Sequence, residues 1–271
     1  MENIALQQLA EYIYEFCGID YLKNLSSLES KLASRIKELN LSLWEYCGYV
    51  KMDEEEKDIL IELITVNETY FFREENMLKE LQTVILPQYK YRNPYDPLRI
   101  WCAACSSGEE PYTLAMLIKE TNLFDSESVE IIASDINKKV LKKAQNALYK
   151  KKSLSFRKMP EGMLEKYFDE LEDDYRVKDE VRELVTFKHL NMFDNDIKLE
   201  IGKVDIILCR NVLIYFDMDS IKKVVRSFYD IINPKGYLFL GHAETITNIN
   251  PGFEAIYTPS IFYYRKGESK I

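Results

Sequence analysis

A handful of polar side chains set the chemistry open to this sequence. In Cys105-Ser106-Ser107-Gly108-Glu109-Glu110-Pro111-Tyr112, two carboxylates follow a turn of small residues. Such a pair beside a helix start suits a cationic ligand better than a pyrophosphate; its alternative use is to favour the helix dipole. A second acid, Asp135, closes a later apolar run about 25 residues past that turn, where a ribose hydroxyl is bound in doubly wound sheets. The alternative for this position is an N-cap for a helix running on from Asn137. Asn191 and the pair Arg210-Asn211 end two further apolar runs. Earlier, Val66-Asn67-Glu68-Thr69-Tyr70-Phe71-Phe72-Arg73-Glu74 mixes three aromatics, which could be core, with more hydrogen-bonding groups than a connector needs.

Other chemistries fit less well. The turn at 105–110 has one glycine and no following Gly-Lys-Ser/Thr, so it is neither a dinucleotide fingerprint nor a P-loop. Trp101-Cys102-Ala103-Ala104-Cys105 has the spacing of a thioredoxin motif. A reactive first thiol, however, needs a helix N-terminus beside it, and the helix expected to open at Pro111 starts several residues too late. One Cys-x-x-Cys with no second pair is poor evidence for zinc.

These residues need a scaffold that gathers strand ends. Leu98–Ala103, Val129–Ala133, Thr186–Leu190, Val204–Cys209 and Tyr237–Leu240 read as buried strands. Phe253–Tyr257 and Ile261–Arg265 read as an antiparallel pair closing the sheet. Helices are expected at Glu75–Gln82, from Pro111, and at Asp219–Ile232, with Asn233-Pro234-Lys235-Gly236 as a turn. Tyr175–Phe187 reads as short antiparallel strands around a turn at Lys178-Asp179-Glu180. Residues 1–66 read as a small all-helical domain. In it Gly18 caps the first helix, Ser26 and Glu29 form a capping box, and Asp53 opens a fourth helix with Glu54, Glu55 and Glu56 in its first turn. From Lys138 to Lys158 there are nine basic residues and no acid, either a solvated helix face or a docking surface for an acidic partner.

With 271 residues, 46% of them hydrophobic and 30% charged, the chain has the composition of an ordinary globular protein with a substantial core. No apolar run approaches the roughly 18 residues of a membrane span, so membrane insertion is not expected. The N-terminus lacks the basic region of a signal peptide, which points to a cytoplasmic protein with its five cysteines reduced. A net charge of −9 and the absence of an RNA-binding aromatic signature argue against a nucleic-acid partner.

The motifs at 67–74, 105–112, 133–136 (Ala-Ser-Asp-Ile) and 209–216 (Cys-Arg-Asn-Val-Leu-Ile-Tyr-Phe) resemble, in the same order, those of the chemotaxis receptor protein-glutamate O-methyltransferases, the CheR family. The resemblance implies an α/β fold, a seven-stranded doubly wound methyltransferase sheet. It implies a helical N-terminal domain (1–66), a linker and motif loop (67–96), and a methyltransferase domain (97–271) carrying a small antiparallel β subdomain near 170–187. It implies S-adenosylmethionine as methyl donor, S-adenosylhomocysteine as product, and chemoreceptor glutamates as acceptors. Ligand positions carry over to Asn67, Thr69, Arg73, Glu110, Asp135, Asn191, Met192, Arg210 and Asn211. Among these, Glu110 is expected to meet the donor's ammonium and Asp135 its ribose. Arg73 and Tyr215 are expected as catalytic residues, Arg73 orienting the acceptor carboxylate or the donor's own carboxylate and Tyr215 lying close to the acceptor. The alternatives are a nucleic-acid or other methyltransferase with the same donor, or a non-catalytic donor-binding module. Receptor docking is expected through the N-terminal helices, at Lys31 and Arg35. A receptor-tail tether on the β subdomain is not expected, because 168–175 has no glycine and carries five acids between Asp169 and Asp174.

Overall fold

A computed structural model describes residues 2–247, 249 and 252–267. The N-terminal domain consists of α1 (Glu2–Cys17), α2 (Leu25–Leu39), α3 (Leu43–Met52) and α4 (Glu54–Ile64). Leu9, Ile13, Leu28, Leu32, Tyr46, Leu60 and Ile64 bury one common core. The expected cap of α2 is displaced. Asn24 accepts from Ser27 N, and Ser26 lies inside the first turn with its hydroxyl on Asn24 Oδ1. A capping box sits instead at α3, where Ser42 and Glu45 satisfy each other's main-chain N–H. Gly18 does end α1, at φ +77°, and the ring of Phe193 leaves no room there for a Cβ.

A helical stretch follows the motif loop. It starts as α5 (Glu75–Glu80), loosens into a π turn (Leu81–Ile85) and tightens into a 3₁₀ turn (Leu86–Tyr89) holding Pro87. It therefore extends past the expected end at Gln82.

The main sheet starts with β1 (Leu98–Ala103). Next come α6 (Glu109–Thr121), β2 (Val129–Asp135), α7 (Lys138–Asn146), β3 (Leu148–Lys150), α8 (Met163–Tyr167), β4 (Phe168–Glu170), β5 (Asp174–Val177), α9 (Asp179–Arg182) and β6 (Val185–His189). The chain closes with α10 (Ile197–Ile201), β7 (Val204–Cys209), α11 (Met218–Ile231), β8 (Ile232–Leu240), β9 (Phe253–Tyr257) and β10 (Phe262–Lys266). Seven strands lie in the order β6-β2-β1-β7-β8-β10-β9, the first five parallel and β10 antiparallel to both neighbours. Alternation along β1 sends Ile100 and Cys102 into one core layer and Trp101 and Ala103 into the other. Strand order reverses between β1 and β7, so a crevice opens beyond their carboxyl ends, the usual ligand position in open α/β sheets.

Three expectations are corrected. The helix after β1 opens at Glu109 rather than Pro111, because Gly108 at φ +93° turns the chain directly into it. Pro111 is accommodated in the first turn, where its missing N–H has no helical partner to lose. The small antiparallel sheet has the order β3-β5-β4 and spans 148–177. Residues 179–182 are helical, with Val181 buried, and Val185–His189 pairs in parallel with β2 instead of with residues near 175. The turn expected at 233–236 lies within β8, whose register shifts opposite Val204–Ile206.

The basic run has acidic partners within the chain. Lys138 and Lys139 on α7 pair with Asp58 and Glu62 on α4 at 2.7 and 2.8 Å, while Lys151 pairs with Glu170 and Arg157 with Glu68. Exposed pairs of this kind contribute about 0.2–1 kcal/mol each. Replacing both Lys138 and Lys139 by Glu would set like charges across the junction. The double variant is expected to unfold about 1–2 kcal/mol more easily in denaturant at low salt, with most of that loss recovered at about 0.5 M salt. A salt-independent loss would mean that the junction is not held electrostatically.

Candidate functional site

The carboxyl ends of β1, β2, β6 and β7 and the motif loop converge on one cavity. Asn67, Thr69, Arg73, Glu110, Asp135, Asn191, Met192, Arg210, Asn211 and Tyr215 all line it. Their local settings differ.

Arg210, just past β7, is the hub. Its Nη1 donates to Glu110 Oε2 at 2.6 Å, its Nε to Glu74 Oε2 at 3.3 Å, and its Nη2 to the carbonyl of Arg73 at 2.8 Å. The guanidinium is thus buried between two carboxylates from different elements. Burial pushes the Glu110 carboxyl above its ordinary range, against the opposing pull of Arg210. One Glu110 oxygen is therefore committed to Arg210. Its neighbour Glu109 turns away and accepts from the hydroxyls of Ser107 and Ser155 inside the core. The two carboxylates divide between structure and cavity.

Asp135 ends β2 and is buried. Its Oδ2 accepts from Ser106 N at 2.8 Å and its Oδ1 from Asn137 N at 2.9 Å. The cap of α7 is Asn137, which accepts from Lys139 N and Val140 N. Burial raises the Asp135 carboxyl above its ordinary range, while these N–H groups hold it down in part.

The motif loop combines both readings of its aromatics. Phe71 and Phe72 are core; Phe71 packs edge-on against Tyr149 and Phe168. Tyr70 lines the cavity with the Arg157 guanidinium 3.8 Å over its ring. Arg73 donates Nη1 to the carbonyl of Glu68 at 2.8 Å. Phe72 and Glu74 take left-handed backbone conformations, as do Ala104, Ser106 and Asn211 on the facing loops. Of the nine non-glycine residues with positive φ among the described residues, Ala104, Ser106 and Asn211 line the cavity and Phe72 and Glu74 flank its Arg73, where strain of this kind is characteristically stored.

Two features were not legible in the sequence. The helical domain forms one wall. Cys17, Ile19 and Thr65 line the cavity, Asn191 donates to the carbonyl of Phe16 at 2.7 Å, and Asp20 N donates to that of Tyr215 at 3.1 Å. Thr65 Oγ accepts from both Asn67 and Asn137 side chains, joining that wall to β2. Glu244, after β8, holds the main chain at 211–214; an acid directly past a strand end on this edge was the available signal.

The cysteines are buried thiols, all five of them free, with Cys102 within β1, and burial drives the thiols of Cys102 and Cys105 well above their ordinary range.

Residues 67–262 match the family model described as CheR methyltransferase, SAM binding domain, and residues 4–65 match CheR methyltransferase, all-alpha domain. The chain belongs to the CheR methyltransferase family. Chemotaxis protein methyltransferase 2 of Vibrio cholerae serotype O1 is 35% identical over 96% of this chain and 92% of its own length. The chemotaxis protein methyltransferase of Borreliella burgdorferi is 34% identical over 89% of this chain and 88% of its own. Chemotaxis protein methyltransferase 1 of Pseudomonas aeruginosa is 33% identical over 97% and 98%. This CheR chain is an S-adenosylmethionine-dependent methyltransferase.

The cavity suits that donor. Asn211 lines it and carries a buried Oδ1 with no hydrogen-bond partner. Carboxylates at Glu110 and Asp135 match an ammonium and a ribose hydroxyl. Asp135→Ala is expected to weaken S-adenosylhomocysteine binding by about 1–3 kcal/mol in calorimetry. Because burial raises the Asp135 carboxyl and its ionised form is the stronger acceptor from a hydroxyl, affinity is expected to fall on acidification, beginning above the ordinary aspartate range. Unchanged affinity in the variant would remove Asp135 from the site.

Proposed function

We propose that this CheR enzyme methylates glutamate side chains of chemoreceptors, forming methyl esters in the cytoplasm. The observation that carries the reading is a cavity with acceptor groups at its sheet end, Glu110, Asp135 and Asn211, and Arg73 with Tyr215 also lining it. S-adenosylmethionine supplies, when bound, an electrophilic sulfonium methyl group. Asp135 would take its ribose, and Glu110 and Asn211 its amino and other N–H groups.

A glutamate acceptor has an ordinary pKa near 4.3, so at neutral pH it is already the nucleophile and requires no general base. The enzyme's contribution is then alignment and exclusion of water. Arg73 is braced on the Glu68 carbonyl and beside the Tyr70 ring, 5.6 Å from its centroid. Held there, it orients the acceptor carboxylate without the tight bidentate pairing that would blunt its attack. Burial raises the Tyr215 phenol, which keeps it a neutral O–H donor toward the acceptor. In this reading the helical wall at Cys17 and Ile19 serves that exclusion.

We further infer that receptors are engaged through the N-terminal helices. Arg35 is bound to the buried Glu56 at 2.6 Å, and Lys31 donates to the carbonyl of Leu63. Lys31 is therefore the residue to reverse, since Arg35→Glu would also unpair Glu56. No tail tether operates in this reading, because the β4 edge presents Asp169 and Glu170 to solvent, and these would repel the carboxylate of a receptor tail.

Incubation with labelled donor and receptor-bearing membranes is expected to yield base-labile methyl esters. Arg73→Ala is expected to lower that transfer at least tenfold, about 1.4 kcal/mol of barrier, with the thermal midpoint nearly unchanged. Equal losses of stability and activity would return Arg73 to a structural role. In the same assay Lys31→Glu should reduce methylation severalfold at physiological salt, whereas a receptor lacking its C-terminal tail should be methylated as well as the intact one. The reverse pattern would overturn both docking statements.

A further inference from the structure

Glu244 is a buried acid whose hydrogen-bond partners are main-chain N–H groups. Its Oε2 accepts from Gly241 N at 2.6 Å and Asn211 N at 2.7 Å; its Oε1 accepts from Val212 N at 2.8 Å and Ile214 N at 3.3 Å. One side chain thus bridges the ends of two adjacent parallel strands, β7 and β8. The N–H groups supply the positive ends of dipoles that a buried carboxylate needs.

That bridge fixes a conformation as well as a contact. Asn211 sits at φ +59°, a left-handed setting that asparagine tolerates better than most residues. Its amide lies against Gly241, where a Cβ would come 2.7 Å from Asn211 Nδ2 and 2.8 Å from Glu244 Oε2. Glycine is therefore required by close approach on one side, and Glu244 secures the main chain on the other. Between them Asn211 is held with its Oδ1 buried, without a protein partner, at the cavity lining.

We propose that Glu244 is a positioning residue of the donor site, acting through Asn211 to hold that lining residue in place against the bound ligand. The assignment rests on the reading of this cavity as the S-adenosylmethionine site. A carboxylate is specifically suited to the task. Each of its oxygens takes two N–H groups, whereas a glutamine amide offers one oxygen and one NH₂. Whichever way a glutamine turns, two of the four main-chain donors face another donor.

The test is a double-variant cycle read by calorimetry with S-adenosylhomocysteine. Asn211→Ala and Glu244→Gln are each expected to weaken binding roughly ten- to a hundredfold. If Glu244 acts through Asn211, the combined variant binds no more weakly than the weaker single one. Losses that multiply in the combined variant would overturn the assignment, as would wild-type affinity in Glu244→Gln. Gly241→Ala keeps the carboxylate but crowds the Asn211 amide, so it tests the same geometry if Glu244→Gln fails to fold. It should weaken binding in the wild-type background and add nothing to Asn211→Ala; an effect that persists undiminished beside Asn211→Ala would count against the proposal. A wild-type chain that does not bind S-adenosylhomocysteine would instead overturn the donor reading itself.

Discussion

The arrangement turns on a single buried guanidinium. Arg210 leaves β7 and is gripped by Glu110 from α6, by Glu74 from the motif loop, and by the carbonyl of Arg73. Removing one partner of a buried, hydrogen-bonded pair leaves an uncompensated charge, which typically costs about 3–5 kcal/mol. The two carboxylates therefore hold in place a loop that has no strand or long helix of its own. Phe71 and Phe72 anchor that loop from below, buried in the core beneath the sheet's crevice. Between core and cluster the loop has little freedom, which is how it sustains left-handed residues at Phe72 and Glu74.

A second constraint is electrostatic economy at the crevice. Three acids of the site are buried or nearly so, and each is satisfied differently: Glu110 by a cation, Asp135 and Glu244 by main-chain N–H groups. A carboxylate held by N–H dipoles keeps its charge without neutralising a neighbour. Asp135 is raised by burial and only partly held down by its N–H partners, while Glu110 shares its charge with Arg210.

Much of the sheet could be read ahead of the structure because parallel strands are continuous apolar runs. Val204–Cys209 was legible to the residue for this reason. The β subdomain was not, because its three strands are only three or four residues long, which leaves no periodicity to detect, and β3 reaches β5 across the whole of 151–173. Helix starts went astray by one or two residues wherever a neighbouring side chain took over the cap, as Asn24 did from Ser26. At the site, residue types pointed to the cavity but not to their partners. Nothing in the spacing of Glu110 and Arg210 tells that one will occupy the other, and nothing in residues 1–66 tells that Phe16 will receive the amide of Asn191.

That last contact bears on where the functional unit ends. The family's two domain models meet between residues 65 and 67, yet the cavity straddles the seam: Cys17, Ile19 and Thr65 face Asp135 and Asn191 across it. The sheet supplies the chemistry and the helices supply the roof. A fragment cut at the seam would keep every catalytic side chain and lose the enclosure, turning a pocket into an open ledge. Occupancy of the site and seating of the helical domain are consequently linked, because a ligand in the cavity would touch side chains from both sides of the seam.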